Sequence, residues 1–123
     1  MGIKSFIIKP YAKRMARKVR SWSSKPYEMQ DKIFHELIEE GKKTLFGKDH
    51  AFESIKTYDD FKKQIPIKDY EGLKSYIEKI KRCDANILWP GKPVYFAKTS
   101  GTTSGVKYIP ITKESLPNHV GSA

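Results

Sequence analysis

Cysteine is almost absent from this sequence, and long hydrophobic runs are absent altogether. Cys83 is the only cysteine among the 123 residues, so neither an intrachain disulfide nor a cysteine-based metal cluster can form. A reducing cytoplasm is therefore the expected compartment. No apolar run approaches the ~20 residues that a transmembrane helix requires, and residues 1–6 match neither a secretory signal nor a myristoylation motif. We expect a cytoplasmic protein without stable membrane insertion.

Acidic residues are missing from the first 25 residues. This segment holds eight of the 24 basic residues and none of the 14 acidic ones, whereas the charges of residues 26–123 nearly balance. Ile7, Tyr11, Met15 and Val19 recur at intervals of four, which predicts an amphipathic helix near 11–20. A proline at position 10 should kink this helix or begin a new one.

A basic amphipathic helix of this kind is compatible with several roles. It can bind an anionic membrane or a partner, and organelle transit peptides share its composition. We expect instead that its apolar face packs on the rest of a larger protein, with solvated charges and no nucleic-acid partner. The alternative is a non-catalytic basic module that binds membrane or nucleic acid through residues 1–25, with affinity that falls steeply as salt rises.

Two further helices are predicted from apolar stripes with a period of 3.6 residues. The first covers 27–40 and ends at the stop signal Gly41. The second covers 70–81, with Asp69 as its N-cap. A shorter helix should begin after Thr57, which precedes two acidic residues. The stripes consist of Met29, Ile33 and Leu37 in the first helix and Leu73, Ile77 and Ile80 in the second.

Two short β-forming segments, 94–98 and 107–111, flank a polar loop. The loop, residues 99–107, contains two glycines, two serines, three threonines and one lysine. Glycine allows positive φ and a close approach of the backbone to a ligand, and successive N–H groups can then converge on an anion. Hydroxyl groups and the Lys107 ammonium add further donors. Together these groups fit a polyphosphate ligand.

The composition of the loop also allows two other interpretations. A Walker loop needs four residues between its glycines, then Lys and Ser or Thr, and then a helix. Here three residues separate Gly101 from Gly105, and Tyr108 follows Lys107 at the start of a predicted strand. An ordinary Ser/Thr/Gly-rich hairpin loop needs no ligand, because these residues favour turns. The order of the residues, more than their composition, favours phosphate binding.

That order resembles the phosphate-binding motif of adenylate-forming enzymes, which Phe96 and then Thr99-Ser100-Gly101-Thr102-Thr103 match. Ser104 before Gly105, and Val106 in place of a proline, depart from the usual motif. This variant resembles the Gretchen Hagen acyl acid amido synthetases, an auxin-responsive family, and we expect a bacterial-type member. The resemblance covers about 26–119 and includes Phe46-Gly47-Lys48-Asp49-His50, Tyr58-Asp59-Asp60-Phe61, Ile65-Pro66-Ile67, Asp69-Tyr70-Glu71 and Lys107-x-Ile109-Pro110-x-Thr112.

The resemblance implies a ligase that binds ATP with Mg²⁺. A carboxylic acid would be activated as an acyl-adenylate and then transferred to the amine of an amino acid. An acyl-CoA synthetase shares the first half-reaction and is the close alternative, although the inserted serine favours the amide-forming family. No catalytic residue and no metal ligand is assigned in this chain. The implied phosphate cradle is Thr99, Ser100, Gly101, Thr102, Thr103, Ser104 and Gly105, with Lys107 as an additional cation.

We therefore expect an α/β, α+β-like fragment in which amino-terminal helices precede a short β-hairpin around the loop. Residues 1–25 would form the basic helix. Residues 26–123 would form the amino-terminal part of the adenylate-forming, ATP-binding domain, truncated at its carboxyl end. By the resemblance, the adenine site, the metal-binding acid, the acyl pocket and a mobile C-terminal domain lie downstream. The 123-residue fragment alone should therefore be inactive.

Overall fold

Six helices and one two-stranded sheet make up the part of the chain that the computed structural model describes, residues 3–101 and 105–121. This composition confirms the predicted α+β fragment. The chain divides into two compact units, Met1–Glu36 and Leu37–Ala123. The elements in order are α1 (Ile3–Ser23), α2 (Pro26–Gly41), α3 (Leu45–Asp49), a 3-10 turn (Phe52–Ser54), α4 (Tyr58–Gln64), α5 (Tyr70–Lys81), β1 (Tyr95–Lys98), β2 (Tyr108–Ile111) and α6 (Leu116–Gly121).

In the first unit, α1 is longer than the sequence predicts. It begins at Ile3 and contains Pro10, so the expected start near residue 11 is wrong. Proline removes one N–H···O=C bond of the helix, and regular turns continue on both sides of this gap. From residue 8 to residue 23 the side chains are exposed, except for the partly buried Met15. Among the described residues, no helix is both long enough and apolar enough to cross a membrane.

The prediction for α2 is confirmed, including its end at Gly41. The turn that follows contains Thr44, which is only 1% exposed. Its hydroxyl donates to the Gly41 carbonyl (2.7 Å) and accepts from the Gly47 amide (2.9 Å). Thr44 is therefore the N-cap of α3. The sequence does not predict this helix, because five residues are too few to show a periodic stripe.

The core of the second unit lies on α5, as its stripe predicts. Leu45 and Phe46 join α3 to the segment after α5, because their amides donate to the Asn86 (2.8 Å) and Ile87 (3.0 Å) carbonyls. The cluster comprises buried Tyr76, Ile77, Ile80 and Ile87, with Leu45, Phe46, Tyr70, Leu73, Leu88 and Tyr108 packed against it. Burial raises the pKa of Tyr76, and its hydrogen bond to Asp49 adds to the rise.

The two strands pair antiparallel, as predicted, with Phe96 opposite Pro110 and Lys98 opposite Tyr108. Because side chains alternate along a strand, these four lie on one face of the sheet. The Phe96 and Tyr108 rings meet edge to face, with centroids 6.4 Å apart. Tyr108 also packs against the α5 cluster. The hairpin therefore rests on α5 through this face, and its turn carries the candidate loop.

Local caps complete the fold. Thr57 begins α4 with a capping box, and Asp69 caps α5 by accepting from the Gly72 amide (2.9 Å), so both predicted N-caps are confirmed. The final helix begins at Leu116. The Thr112 hydroxyl accepts from the Ser115 amide (3.2 Å) and caps the turn that precedes this helix. The predicted domains, 1–25 and 26–123, stay a prediction.

Candidate phosphate-binding site

The base of the candidate loop is closed by a pair of hydrogen bonds. The Thr99 amide donates to the Lys107 carbonyl (3.0 Å), and the Lys107 amide donates to the Thr99 hydroxyl (3.2 Å). The Thr99 hydroxyl thus accepts one bond from the chain and keeps its own proton to donate. These bonds hold the two ends of the loop together directly beyond the β1–β2 ladder.

Both glycines of the loop have a left-handed backbone, with φ of +62° at Gly101 and +79° at Gly105. A Cβ on Gly101 would lie 2.7 Å from the carbonyl carbon of Gly105 and 2.8 Å from the amide nitrogen of Val106. At Gly105, a Cβ would meet no described atom within 4 Å. Glycine is therefore required at Gly101 for two reasons, its dihedral angle and the contact with the opposite side of the loop. At Gly105, glycine is favoured by the left-handed dihedral angle alone among the described residues.

The loop also presents backbone donors. The amides of four loop residues donate to no acceptor among the described residues; these are Ser100, Gly101, Gly105 and Val106. Ser100 and Gly105 are exposed to solvent. Exposed N–H groups near a left-handed residue can converge on an anion. This arrangement suits an anionic ligand better than a cation, which would need carbonyl or carboxylate oxygens.

Tyr70, at the start of α5, supports the chain where it leaves the loop. Its hydroxyl accepts a hydrogen bond from the Tyr108 amide at 3.0 Å. Its ring lies below the Lys107 ammonium, with 5.8 Å from Nζ to the ring centroid. On the other side, the Lys81 ammonium lies 4.7 Å from the Tyr108 ring centroid. A hydrogen bond to Glu78 raises the pKa of Lys81. Two lysine ammonium groups therefore lie next to the strand that follows the loop.

The structure brings most of the predicted cradle to one end of the hairpin. Its described members are Thr99, Ser100, Gly101, Gly105 and Lys107. The others, Thr102, Thr103 and Ser104, lie outside the described residues. The supporting role of Tyr70 was missed, although the motif Asp69-Tyr70-Glu71 marks the position. No local pattern shows that a tyrosine 38 residues earlier meets the Tyr108 amide.

The described histidines and acids do not form a second chemical site. The His50 Nδ1–H donates to the Phe46 carbonyl oxygen (2.9 Å), and the imidazole ring stacks on the Phe46 ring at 4.0 Å. The hydrogen bond of His50 is therefore local. Within the described residues, no group of three or more His, Cys, Asp and Glu side chains is placed to hold a metal ion.

A cavity of about 140 Å³ lies elsewhere in the second unit. None of the described residues of the loop lines it, and its walls combine apolar side chains with one acid and one base. Its lining includes Ile80, Asp84, Trp89, Lys92, Pro110 and Thr112. This mixture differs from the donor-rich surroundings that a polyphosphate requires. The loop is therefore the better candidate for an anion site than this cavity.

Comparison with known proteins identifies the chain's relatives. A model of the GH3 family N-terminal domain matches residues 15–122. The Arabidopsis thaliana indole-3-acetic acid-amido synthetase GH3.2 is 26% identical over 100 residues, which cover 80% of this chain and 18% of that protein. GH3.15 from the same plant, with the same enzyme name, is 38% identical over 63 residues, covering 50% of this chain and 11% of that protein.

A probable indole-3-acetic acid-amido synthetase from Oryza sativa subsp. japonica, GH3.13, is 40% identical over 58 residues. These cover 46% of this chain and 12% of that protein. The chain therefore spans less than a fifth of the length of these relatives. No solved structure matches it. These relatives are plant proteins, and the bacterial type of this chain stays a prediction.

Proposed function

This chain belongs to the GH3 family, and we propose that it is the amino-terminal part of an ATP-dependent acyl acid amido synthetase. Residues 99–107 would bind the β- and γ-phosphates of ATP. The observation that carries this assignment is the geometry of the loop. Two left-handed glycines, a closed base and amides without an acceptor among the described residues coincide in the segment whose order resembles a phosphate-binding motif.

The proposed reaction has two steps. A carboxylate oxygen attacks the α-phosphorus of ATP, and the bond to the β-phosphate breaks, which releases pyrophosphate and leaves an acyl-adenylate. The amine nitrogen of an amino acid then attacks the acyl carbon, AMP leaves, and the amine loses a proton as the amide forms. The first step brings an anion to a polyanion, so its rate depends on donors that hold the leaving pyrophosphate.

The residues of this chain fit that requirement. The amides beside Gly101 and Gly105 would hold phosphate oxygens, and the hydroxyls of Thr99 and Ser100 would add donors. We assign Thr102, Thr103 and Ser104 to the same cradle from the motif. Lys107 would contribute a positive charge, oriented by the Tyr70 ring beneath its ammonium. Mg²⁺ would enter with the nucleotide and neutralise part of the phosphate charge, and we assign it no ligand in this chain.

A test on the intact protein separates the two half-reactions. Indole-3-acetic acid is the first carboxylic acid to try, because the relatives are named for it. We expect pyrophosphate exchange into ATP that depends on the acid, and an amide product after an amino acid is added. A thioester from coenzyme A in place of the amide would identify an acyl-CoA synthetase.

The Gly101→Val variant then tests the loop itself. It should lose pyrophosphate exchange on the order of a hundredfold, because a small displacement of reacting groups has that effect. It should still form amide in a single turnover from supplied acyl-adenylate. Thermal melting checks that the variant folds. A folded variant with the parent exchange rate would show that the loop does not hold the phosphates.

A further inference from the structure

The first unit carries an exposed apolar stripe along α1, which we call the α1 stripe: Ile8, Tyr11, Met15, Val19 and Trp22. Its members are three or four residues apart, so they share one helix face and span roughly 80° of the circumference at 3.6 residues per turn. Ile8 and Tyr11 are 60% and 61% exposed, and Val19 and Trp22 are 44% and 48% exposed. An apolar face of this length is therefore accessible.

Positive charge covers the opposite half of the same helix and one border of the stripe. Among the described side chains of α1, six cations form no ion pair, and α1 contains no acid. Elsewhere, lysines pair with acids one turn away, as in Lys62–Asp59 (2.8 Å) and Lys74–Glu71 (3.1 Å). The charges of α1 are thus not neutralised by neighbouring side chains. The six cations are Lys9, Lys13, Arg14, Arg17, Lys18 and Arg20.

We propose that α1 binds an anionic lipid surface, with the helix axis parallel to the membrane. The α1 stripe would lie at the boundary between headgroups and acyl chains, and the basic half would contact the phosphate and carboxylate groups of acidic lipids. Tyr11 and Trp22, near the two ends of the stripe, carry the amphipathic rings that favour this depth. Lys18 borders the stripe, about 20° from Tyr11 around the helix axis at 3.6 residues per turn, and its long side chain can keep the ammonium group among the headgroups.

An anionic lipid surface would contact both the apolar stripe and the cations of α1. A nucleic acid would neutralise the cations and leave the α1 stripe in water. A protein neighbour that covered the stripe, as the sequence alone suggests, would leave six cations without partners. The GH3 domain match begins at residue 15, so the stripe extends beyond the matched domain. Trp22, which lies within the matched domain, is half exposed.

The first test compares charge variants of the intact protein in sedimentation with vesicles. Vesicles of phosphatidylcholine with about one-third phosphatidylserine should bind the protein, whereas pure phosphatidylcholine should not. The triple variant Arg14→Gln, Arg17→Gln, Lys18→Gln should bind on the order of a hundredfold more weakly, at about fivefold for each charge near the surface. The matched control, Lys32→Gln, Lys62→Gln, Lys74→Gln, removes the same charge outside α1 and should change binding less than about threefold.

The second test addresses the α1 stripe. Trp22→Ser should weaken binding to the acidic vesicles on the order of tenfold, because the variant lacks the aromatic side chain that would be buried in the membrane. Tyr27→Ser, at an 85% exposed residue on the acidic helix α2, should have no effect. In the intact protein, the tryptophan emission should shift to shorter wavelength when acidic vesicles are added, and the contribution of Trp22 to this shift should be lost in Trp22→Phe.

Three results would overturn the proposal. The first is absence of binding to acidic vesicles. The second is tighter binding to a short DNA duplex that Trp22→Ser leaves unchanged, which would identify a nucleic-acid surface. The third is a lower melting temperature for Trp22→Ser than for Tyr27→Ser with equal vesicle binding, which would show that the stripe packs within the protein.

Discussion

The cations of α1 and the lysines of the second unit differ in what surrounds them. Along α1, six positive side chains lie without an acidic partner among the described residues. In the second unit, Lys74 and Lys81 pair with acids on their own helix, and Lys107 lies over an aromatic ring whose hydroxyl is hydrogen-bonded to the backbone. An extended anionic surface can be bound by many charges without fixed positions. A single phosphate group needs a few donors at defined positions, and these need a rigid support.

The comparison can be tested by weakening that support one contact at a time. If the second unit holds the loop rigidly, changes close to the loop should reduce pyrophosphate exchange most. Changes farther from the loop should affect mainly the free energy of unfolding.

The largest effect is expected from a methyl group at the loop glycines. Gly101→Ala places a Cβ against the backbone of Gly105 and Val106, so pyrophosphate exchange should fall on the order of a hundredfold. Gly105→Ala carries only the left-handed strain, about 1–2 kcal/mol, and should retain most of the exchange activity. Equal losses in the two variants would contradict a loop whose shape depends on the contact at Gly101.

A smaller effect is expected at Lys107. A charge-assisted hydrogen bond contributes about 1.5–3 kcal/mol, so Lys107→Ala should reduce pyrophosphate exchange about tenfold to a hundredfold. The control is Lys98→Ala, an exposed lysine on the adjacent strand, which should change exchange by less than about twofold. If both variants lose the same activity, the loop region attracts ATP by its overall charge and not through one placed ammonium.

Tyr70→Phe should have a moderate effect on stability and a small one on ATP binding. The variant removes the acceptor of the Tyr108 amide but keeps the ring beneath Lys107, so the free energy of unfolding should fall by about 1 kcal/mol. Denaturant titration measures this loss, and KM for ATP should rise a few-fold. Tyr95→Phe, on the exposed face of β1, should match the parent in both measurements. If Tyr70→Phe matches the parent in both measurements, the Tyr70 hydroxyl does not support the loop.

The smallest effect is expected at the capping box of α4, which lies away from the loop in sequence. Hydrogen bonds from Thr57 and from the backbone of Lys56 and Thr57 lower the pKa of Asp60 below its usual 3.8. A lowered pKa means that the carboxylate stabilises the folded state above the unfolded pKa, and that this contribution is lost as the pH falls through the folded pKa. Asp60→Asn should therefore lower the melting temperature at neutral pH, and the difference should shrink below about pH 4. A difference that does not depend on pH would contradict this.

Local signals predicted the parts of this fold that depend on local interactions. A period of 3.6 residues and the cap at Asp69 predict α5, and the run at 94–98 predicts β1. By contrast, α3 was missed because its determinant is the buried Thr44 cap. Because proline usually kinks or begins a helix, the predicted start of α1 near residue 11 is too late. The hydrogen bond missing at Pro10 does not end the helix. These differences arise where a single residue outweighs the surrounding pattern.

In the candidate site too, some features can be predicted from the sequence and others depend on tertiary structure. The order of residues at 99–107 predicts which residues bind phosphate, and the structure brings the described ones together. The backbone contact at Gly101 and the hydroxyl of Tyr70 depend on tertiary placement, which no motif encodes. The contributions of Thr102, Thr103 and Ser104 stay predictions.

Pro110 and Tyr70 together determine where the sheet can grow. In an antiparallel pair, the amides of alternate residues point away from the partner strand. On β2 these belong to Tyr108, whose amide already donates to the Tyr70 hydroxyl, and to Pro110, which has no N–H. The outer edge of β2 therefore offers no donor at either position to a third strand. Backbone pairing can extend the sheet only along β1, and two hairpins cannot aggregate through their β2 edges by a regular ladder.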